Sequence, residues 1–137
     1  MPKQQKCLVV DDSAVIREIA VRILTELNID VGQAESASAG LDYCREFKPA
    51  AVLLDWDLPA MGALDFLRGA ADLPVEERPA IVLCATENDP QQFTLARAAG
   101  AEYHILKPFD KASIQEKLVE IGFVDVSVEP ESKAASK

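Results

Sequence analysis

The chain is poor in the residues that would build a nitrogen and sulfur metal site or a disulfide-stapled fold. It has one histidine, His104, and 3 cysteines in 137 residues. Cys7, Cys44 and Cys84 are far apart, odd in number and set in apolar segments, so they suit small buried side chains in a reducing compartment. Positive charge is also scarce. Lys and Arg total 14 against 23 Asp and Glu, for a formal net charge of -9. That balance argues against binding through a basic face, whether to nucleic acid or to an anionic membrane. Long apolar runs are missing too. Met1 to Lys6 hold no signal core, and no apolar stretch reaches bilayer-spanning length, which predicts a cytoplasmic protein without membrane insertion.

What is present is ordinary for a globular domain, with 49% hydrophobic and 27% charged residues. The length suits one domain with a proper core and predicts no second, output domain. Short β-rich runs alternate with segments of helical period, the pattern of a parallel sheet with crossover helices. Strands are expected at residues 6–10, 30–33, 51–54, 79–84 and 102–106. Helices are expected after Ser13 and through Leu27, then at 38–47, 64–71, 90–99 and 111–121. Ser13 offers an N-cap, Pro49 bars continuation of the second helix, and Gly100 ends the fourth. Five βα units with right-handed crossovers make a doubly wound α/β sheet with helices on both faces. After Gly122 the sequence alternates briefly and turns polar, so residues 123–137 are expected to be a flexible tail.

Acidic residues sit where such a sheet binds ligands, beyond the carboxyl ends of its strands. Asp11-Asp12 follow Leu8-Val9-Val10, and Asp55 with Asp57 follow Ala51-Val52-Leu53-Leu54. Two strands ending side by side would gather carboxylates that repel one another, and a hard divalent cation with oxygen ligands is their natural occupant. An acidic pair at a helix start also complements the helix dipole, and the two roles are compatible.

With Asp11-Asp12 after the first strand, Asp55 after the third and Lys107-Pro108-Phe109 after the fifth, the chain resembles the receiver domain of two-component response regulators, of the single-domain chemotaxis type. The resemblance runs from about Lys6 to Ile121, so residues 1–122 are expected to be the receiver domain. It implies a flavodoxin-like, three-layer sandwich of five strands in the order 2-1-3-4-5 with five helices, an order that comes with the resemblance alone. It implies Asp55 as phosphoacceptor from a histidine kinase or phosphotransfer protein. It further implies Mg²⁺ held by Asp12 and Asp55, by Asp11 through water, and by the backbone carbonyl of Asp57. Lys107 would pair with phosphoryl oxygens, and Pro108 would follow a cis peptide bond.

Three positions depart from the family's pattern. The switch hydroxyl at the end of the fourth strand falls on Ala85, with Thr86 one place later. Period-two alternation turns those two side chains to opposite faces, so Thr86 does not simply replace the missing group. The aromatic switch position, three before Lys107, is His104, either a sensor or a half-buried ring between the fourth helix and fifth strand. Gly62-Ala63 stand where one Gly is usual eight residues after the acceptor, which predicts a reshaped turn after Pro59. Trp56 beside Asp55 suits a cover over the loop.

Three readings follow. The first is a stand-alone phosphorylatable receiver that changes protein partners, in chemotaxis or motility among other roles. The second is a degenerate receiver that binds a partner without phosphorylation, suggested by Ala85 and His104. The third is a haloacid-dehalogenase-type phosphohydrolase, suggested by the Asp55-Trp56-Asp57 pattern. That family carries its DxD on the first strand of a longer chain with a cap, which does not match the order here.

Overall fold

A computed structural model describes residues 6–59, 62–86, 89–101, 103–107 and 110–122. Strands β1 (Lys6–Val10), β2 (Asp30–Ala34), β3 (Ala51–Asp55), β4 (Ala80–Ala85) and β5 (Tyr103–Leu106) alternate with helices α1 (Ala14–Glu26), α2 (Ala37–Phe47), α3 (Gly62–Ala71), α4 (Pro90–Ala98) and α5 (Lys111–Ile121). All pairings are parallel, and the strand order is β2-β1-β3-β4-β5. The expected doubly wound sheet with five helices is therefore the observed one.

Period-two alternation explains the two-sided core. Leu8, Val10, Val52, Leu54, Leu83 and Ala85 face one layer, packed with Phe66 and Leu67 of α3 and Phe93 of α4. Cys7, Val9, Leu53, Val82, Cys84 and Ile105 face the other, packed with Leu24 of α1 and Ile114 and Leu118 of α5. Central strands buried on both faces read as continuous apolar runs, which is why β3 is buried at every position. The three cysteines are free and buried. Burial pushes the Cys84 thiol up to about 12 and the Cys44 thiol up to about 11, so both act as small apolar groups.

Several boundaries moved by local chemistry. Ser13 caps α1 as expected, its hydroxyl accepting from the Ile16 N–H. Helix α2 begins earlier than residue 38, because Ser36 caps it by accepting from the Ala39 N–H. Helix α3 begins at Gly62, ahead of the apolar periodicity that starts at Leu64. A short 3-10 turn, Val75–Glu77, lies between α3 and β4 and has no apolar period to announce it. The expected cis bond at Pro108 and the expected tail at 123–137 fall outside the described residues.

Register delivers the site. Val10 lies opposite Leu54, Asp55 opposite Cys84, and Ala85 opposite Leu106, so β1, β3, β4 and β5 end within two residues of one another. Asp11 after β1, Asp55 at the end of β3 and Lys107 after β5 therefore share one edge.

Candidate functional site: an acidic cluster bridged by lysine

Asp11 leaves the end of β1 with its N–H donating to the Ala34 carbonyl at 3.1 Å. Its Oδ1 accepts from the Ser13 N–H at 2.9 Å, and its Oδ2 accepts from Lys107 Nζ at 3.3 Å. Asp55, the last residue of β3, accepts at Oδ1 from Lys107 Nζ at 2.8 Å and from the Asp57 N–H at 3.0 Å. Lys107 is aimed there because its own N–H donates to the Ala85 carbonyl at 2.7 Å, continuing the β4 ladder. One ammonium thus bridges two carboxylates that are only 3% and 2% exposed.

Charges this deeply placed need partners. Burial pulls the Lys107 ammonium down, but the hydrogen bond and charge of Asp55, with those of Asp11, outweigh it and leave the group raised above its ordinary value. Asp11 is also raised. Burial is the main cause and the Asp55 charge adds to it, against the opposing Ser13 N–H and Lys107.

Asp12 is exposed at the rim, and carboxylate oxygens of Asp11, Asp12 and Asp55 all lie within 4.8 Å of one another. Three hard oxygen donors converging at a solvent-facing opening fit Mg²⁺, which keeps several waters and takes few protein carboxylates. The Asp57 carboxylate is not part of that convergence among the described residues. Its exposed side chain instead accepts from Thr86 Oγ1 at 3.5 Å, the outer limit of such a bond.

The other expected positions fall as follows. Ala85 is buried in the sheet's α3 and α4 face, while Thr86 is exposed, so the two do face differently and the hydroxyl sits over Asp57. His104 is half-buried and stacked on Phe93 of α4, with ring centroids 4.3 Å apart and planes at 23°. That is the packed-ring arrangement. Trp56 is half-buried against the core layer beneath α3, and its N–H at the backbone donates to the Cys84 carbonyl at 2.9 Å. The sequence does not single out Arg17, whose Nη1 donates to the Asp11 carbonyl at 2.6 Å. A cation near the start of a helix opposes the dipole, and that misfit was its available signal.

A lysine-bridged aspartate cluster lies at the carboxyl edge of a parallel five-stranded sheet, where doubly wound folds bind their ligands. The chain belongs to the response regulator receiver domain family, whose model matches residues 7–119. It is 34% identical over 119 residues to a chemotaxis protein CheY homolog of Campylobacter jejuni, covering 85% of this chain and 91% of that one. It is 31% identical over 121 residues to the chemotaxis protein CheY-3 of Vibrio cholerae, covering 87% of this chain and 92% of that one. The solved structure of CheY4 of Vibrio cholerae matches with a TM-score of 0.80 at 23% identity, over 87% of this chain and 99% of that one, and shows the shared fold. Among the described residues no helix is long and apolar enough to cross a membrane.

Proposed function

We propose that the protein is a receiver that takes one phosphoryl group onto Asp55 and changes its protein contacts in response. The observation that carries this reading is Lys107 Nζ lying 2.8 Å from Asp55 and 3.3 Å from Asp11, beside a third carboxylate. Asp11, Asp12 and Asp55, with the Asp57 carbonyl, would hold Mg²⁺. When bound, that ion supplies the positive charge that lets a carboxylate approach an anionic phosphoryl group. The rest of the chemistry belongs to the chain. Lys107 and the Asp57 N–H hold Oδ1 of Asp55, which fixes the rotation of the carboxylate and presents its second oxygen as the nucleophile. The bond from phosphorus to the donor breaks as the bond to that oxygen forms, and the donor leaves with a proton from solvent. Lys107 then exchanges a carboxylate oxygen for the oxygens of the phosphoryl group as a point charge.

The donor is a phosphohistidine on a kinase or phosphotransfer protein, and the location is the cytoplasm. The receiver unit spans residues 1–122, with 123–137 as an appended tail. The likeness to two chemotaxis proteins favours a role in chemotaxis or motility over other outputs. The group is accepted on the protein itself, so the protein is a switch and no turnover of a phosphomonoester is expected. Nucleic acid is not a partner in this reading. A second reading, binding without phosphorylation, draws on Ala85 and the packed His104 ring.

The test is incubation with a small acyl phosphate, with and without Mg²⁺, followed by intact mass of the wild type and of Asp55→Asn. One metal-dependent phosphoryl adduct, absent from the variant, is expected. An unmodified wild type under both conditions would favour the second reading, and steady release of phosphate from phosphomonoesters would favour the hydrolase.

A further inference from the structure

We propose that Arg17 is a positioning residue of the acidic site: its guanidinium locks the peptide that joins Asp11 to Asp12 and so sets where the Asp12 carboxylate stands for a divalent cation. The inference rests on the functional reading above and adds a residue to the same site. Arg17 is half-buried near the start of α1, with Nη1 on the Asp11 carbonyl at 2.6 Å and Nε on Gln33 Oε1 at 3.2 Å. One side chain of α1 therefore ties the tip of β1 to the tip of β2.

The two aspartates are held very differently. Asp11 is fixed through its N–H and through both carboxylate oxygens. Asp12 is exposed, and among the described residues no hydrogen bond or ion pair reaches its carboxylate. Its side-chain direction is therefore governed by its backbone. A peptide is planar, so fixing the Asp11 carbonyl fixes the plane that contains the Asp12 nitrogen and Cα. Arg17 grips that carbonyl. Gln33 stops the guanidinium from turning, because a planar fork with one nitrogen on each acceptor has its orientation set twice. A lysine would preserve the charge and lose the fork.

The competing explanation is that Arg17 only offsets negative charge, and the two make different predictions. Calorimetric Mg²⁺ titration of the full chain would compare wild type, Arg17→Met and Arg17→Lys, with phosphorylation by an acyl phosphate followed at low and at saturating Mg²⁺. Arg17→Met keeps an apolar stem and removes both donors. Its Mg²⁺ affinity is expected to fall about tenfold, the lower end of the range for outer partners of metal ligands. Arg17→Lys is expected to recover little of that loss. Labelling at saturating Mg²⁺ should stay near the wild-type rate in both, which places the defect in cation binding and not in transfer. Unchanged affinity in Arg17→Met overturns the proposal, and so does full recovery in Arg17→Lys. Should Arg17→Met fail to fold, Arg17→Lys alone decides, wild-type affinity counting against positioning. A wild type that takes up neither Mg²⁺ nor phosphoryl overturns the functional reading as well, an outcome distinct from a responsive wild type with an unaffected variant.

Discussion

The tips of β1, β3 and β5 and the tip of β4 share one edge of the sheet, yet they are furnished in opposite ways. The first three carry two buried carboxylates and a bridging lysine, every one of them with a named partner. The fourth ends in buried Ala85, followed by an exposed Thr86 whose hydroxyl lies 3.5 Å from Asp57. In the proposed function, capture of a phosphoryl group would depend on the first three tips, and its relay toward α4 on the fourth, where among the described residues no hydroxyl faces inward. On that reading the two regions act separately, and changes at each should have separate effects.

The largest effect is expected at Lys107. Lys107→Met leaves Asp11 and Asp55 buried without their shared cation, and labelling of Asp55 by an acyl phosphate should slow by about a hundred- to a thousandfold, the usual cost of losing one preorganised charge stabiliser. A rate within a few-fold of wild type would mean that the first three tips are not the capture device. Next comes the apolar layer beneath them. Leu54 has no exposed surface, and Leu54→Ala should lower the unfolding free energy by about 2–5 kcal/mol in denaturant titration while labelling stoichiometry per folded molecule stays at one. Loss of labelling in a fully folded Leu54→Ala protein would show that core and site are less separable than the geometry indicates.

Restoring the fourth tip should produce a smaller and more specific change. Ala85→Thr places a hydroxyl on the buried side, and labelling is expected to continue with unchanged stoichiometry. The nuclear magnetic resonance signals of His104, the one histidine in the chain, should shift more on phosphorylation in that variant than in the wild type. Thr86→Ala should leave the wild-type shift as it is. Equal shifts in wild type and Ala85→Thr would mean that a different group performs the relay.

Much of this contrast was legible beforehand, for identifiable reasons. Strands buried on both faces announce themselves as apolar runs, so β1, β3 and β4 stood out, together with the carboxylates at the ends of β1 and β3. The departure at Ala85 followed from counting, and the opposite facing of Thr86 from alternation. What escaped is what leaves no apolar period, whether a local cap and turn or a contact distant in sequence. The start of α2 turned on Ser36 and not on the apolar period, and the 3-10 turn at Val75–Glu77 has no period at all. Arg17 gave only the weak signal of a cation near a helix start, and only the folded arrangement of β1 and β2 brings the Asp11 carbonyl and Gln33 to it. Asp57 entered through the family resemblance as a backbone-carbonyl ligand, and the placing of its carboxylate toward Thr86 is a detail that role did not foretell.

The smallest expected effect lies at His104 and concerns pH. Burial holds the imidazole below its ordinary value of 6.5, and Lys117 of α5 and Arg97 of α4 push it the same way. In the folded protein the ring stays neutral, stacked on Phe93, where the unfolded chain already takes up a proton. Stability is governed by which state binds more protons, and between the folded and ordinary values that is the unfolded one. The contribution is therefore fully present above the ordinary value and is lost as pH falls through the folded one. Asp11, raised above its ordinary 3.8, acts in the opposite sense, because between its ordinary and folded values the folded state binds the proton. Metal-free unfolding curves from neutral pH down toward the aspartate range should show declining stability in the wild type and a flatter profile in His104→Phe, which keeps an aromatic ring against Phe93 and removes the titration. Parallel profiles would mean that the ring's environment does not distinguish its two protonation states, and the β5 face would then carry no pH dependence of its own.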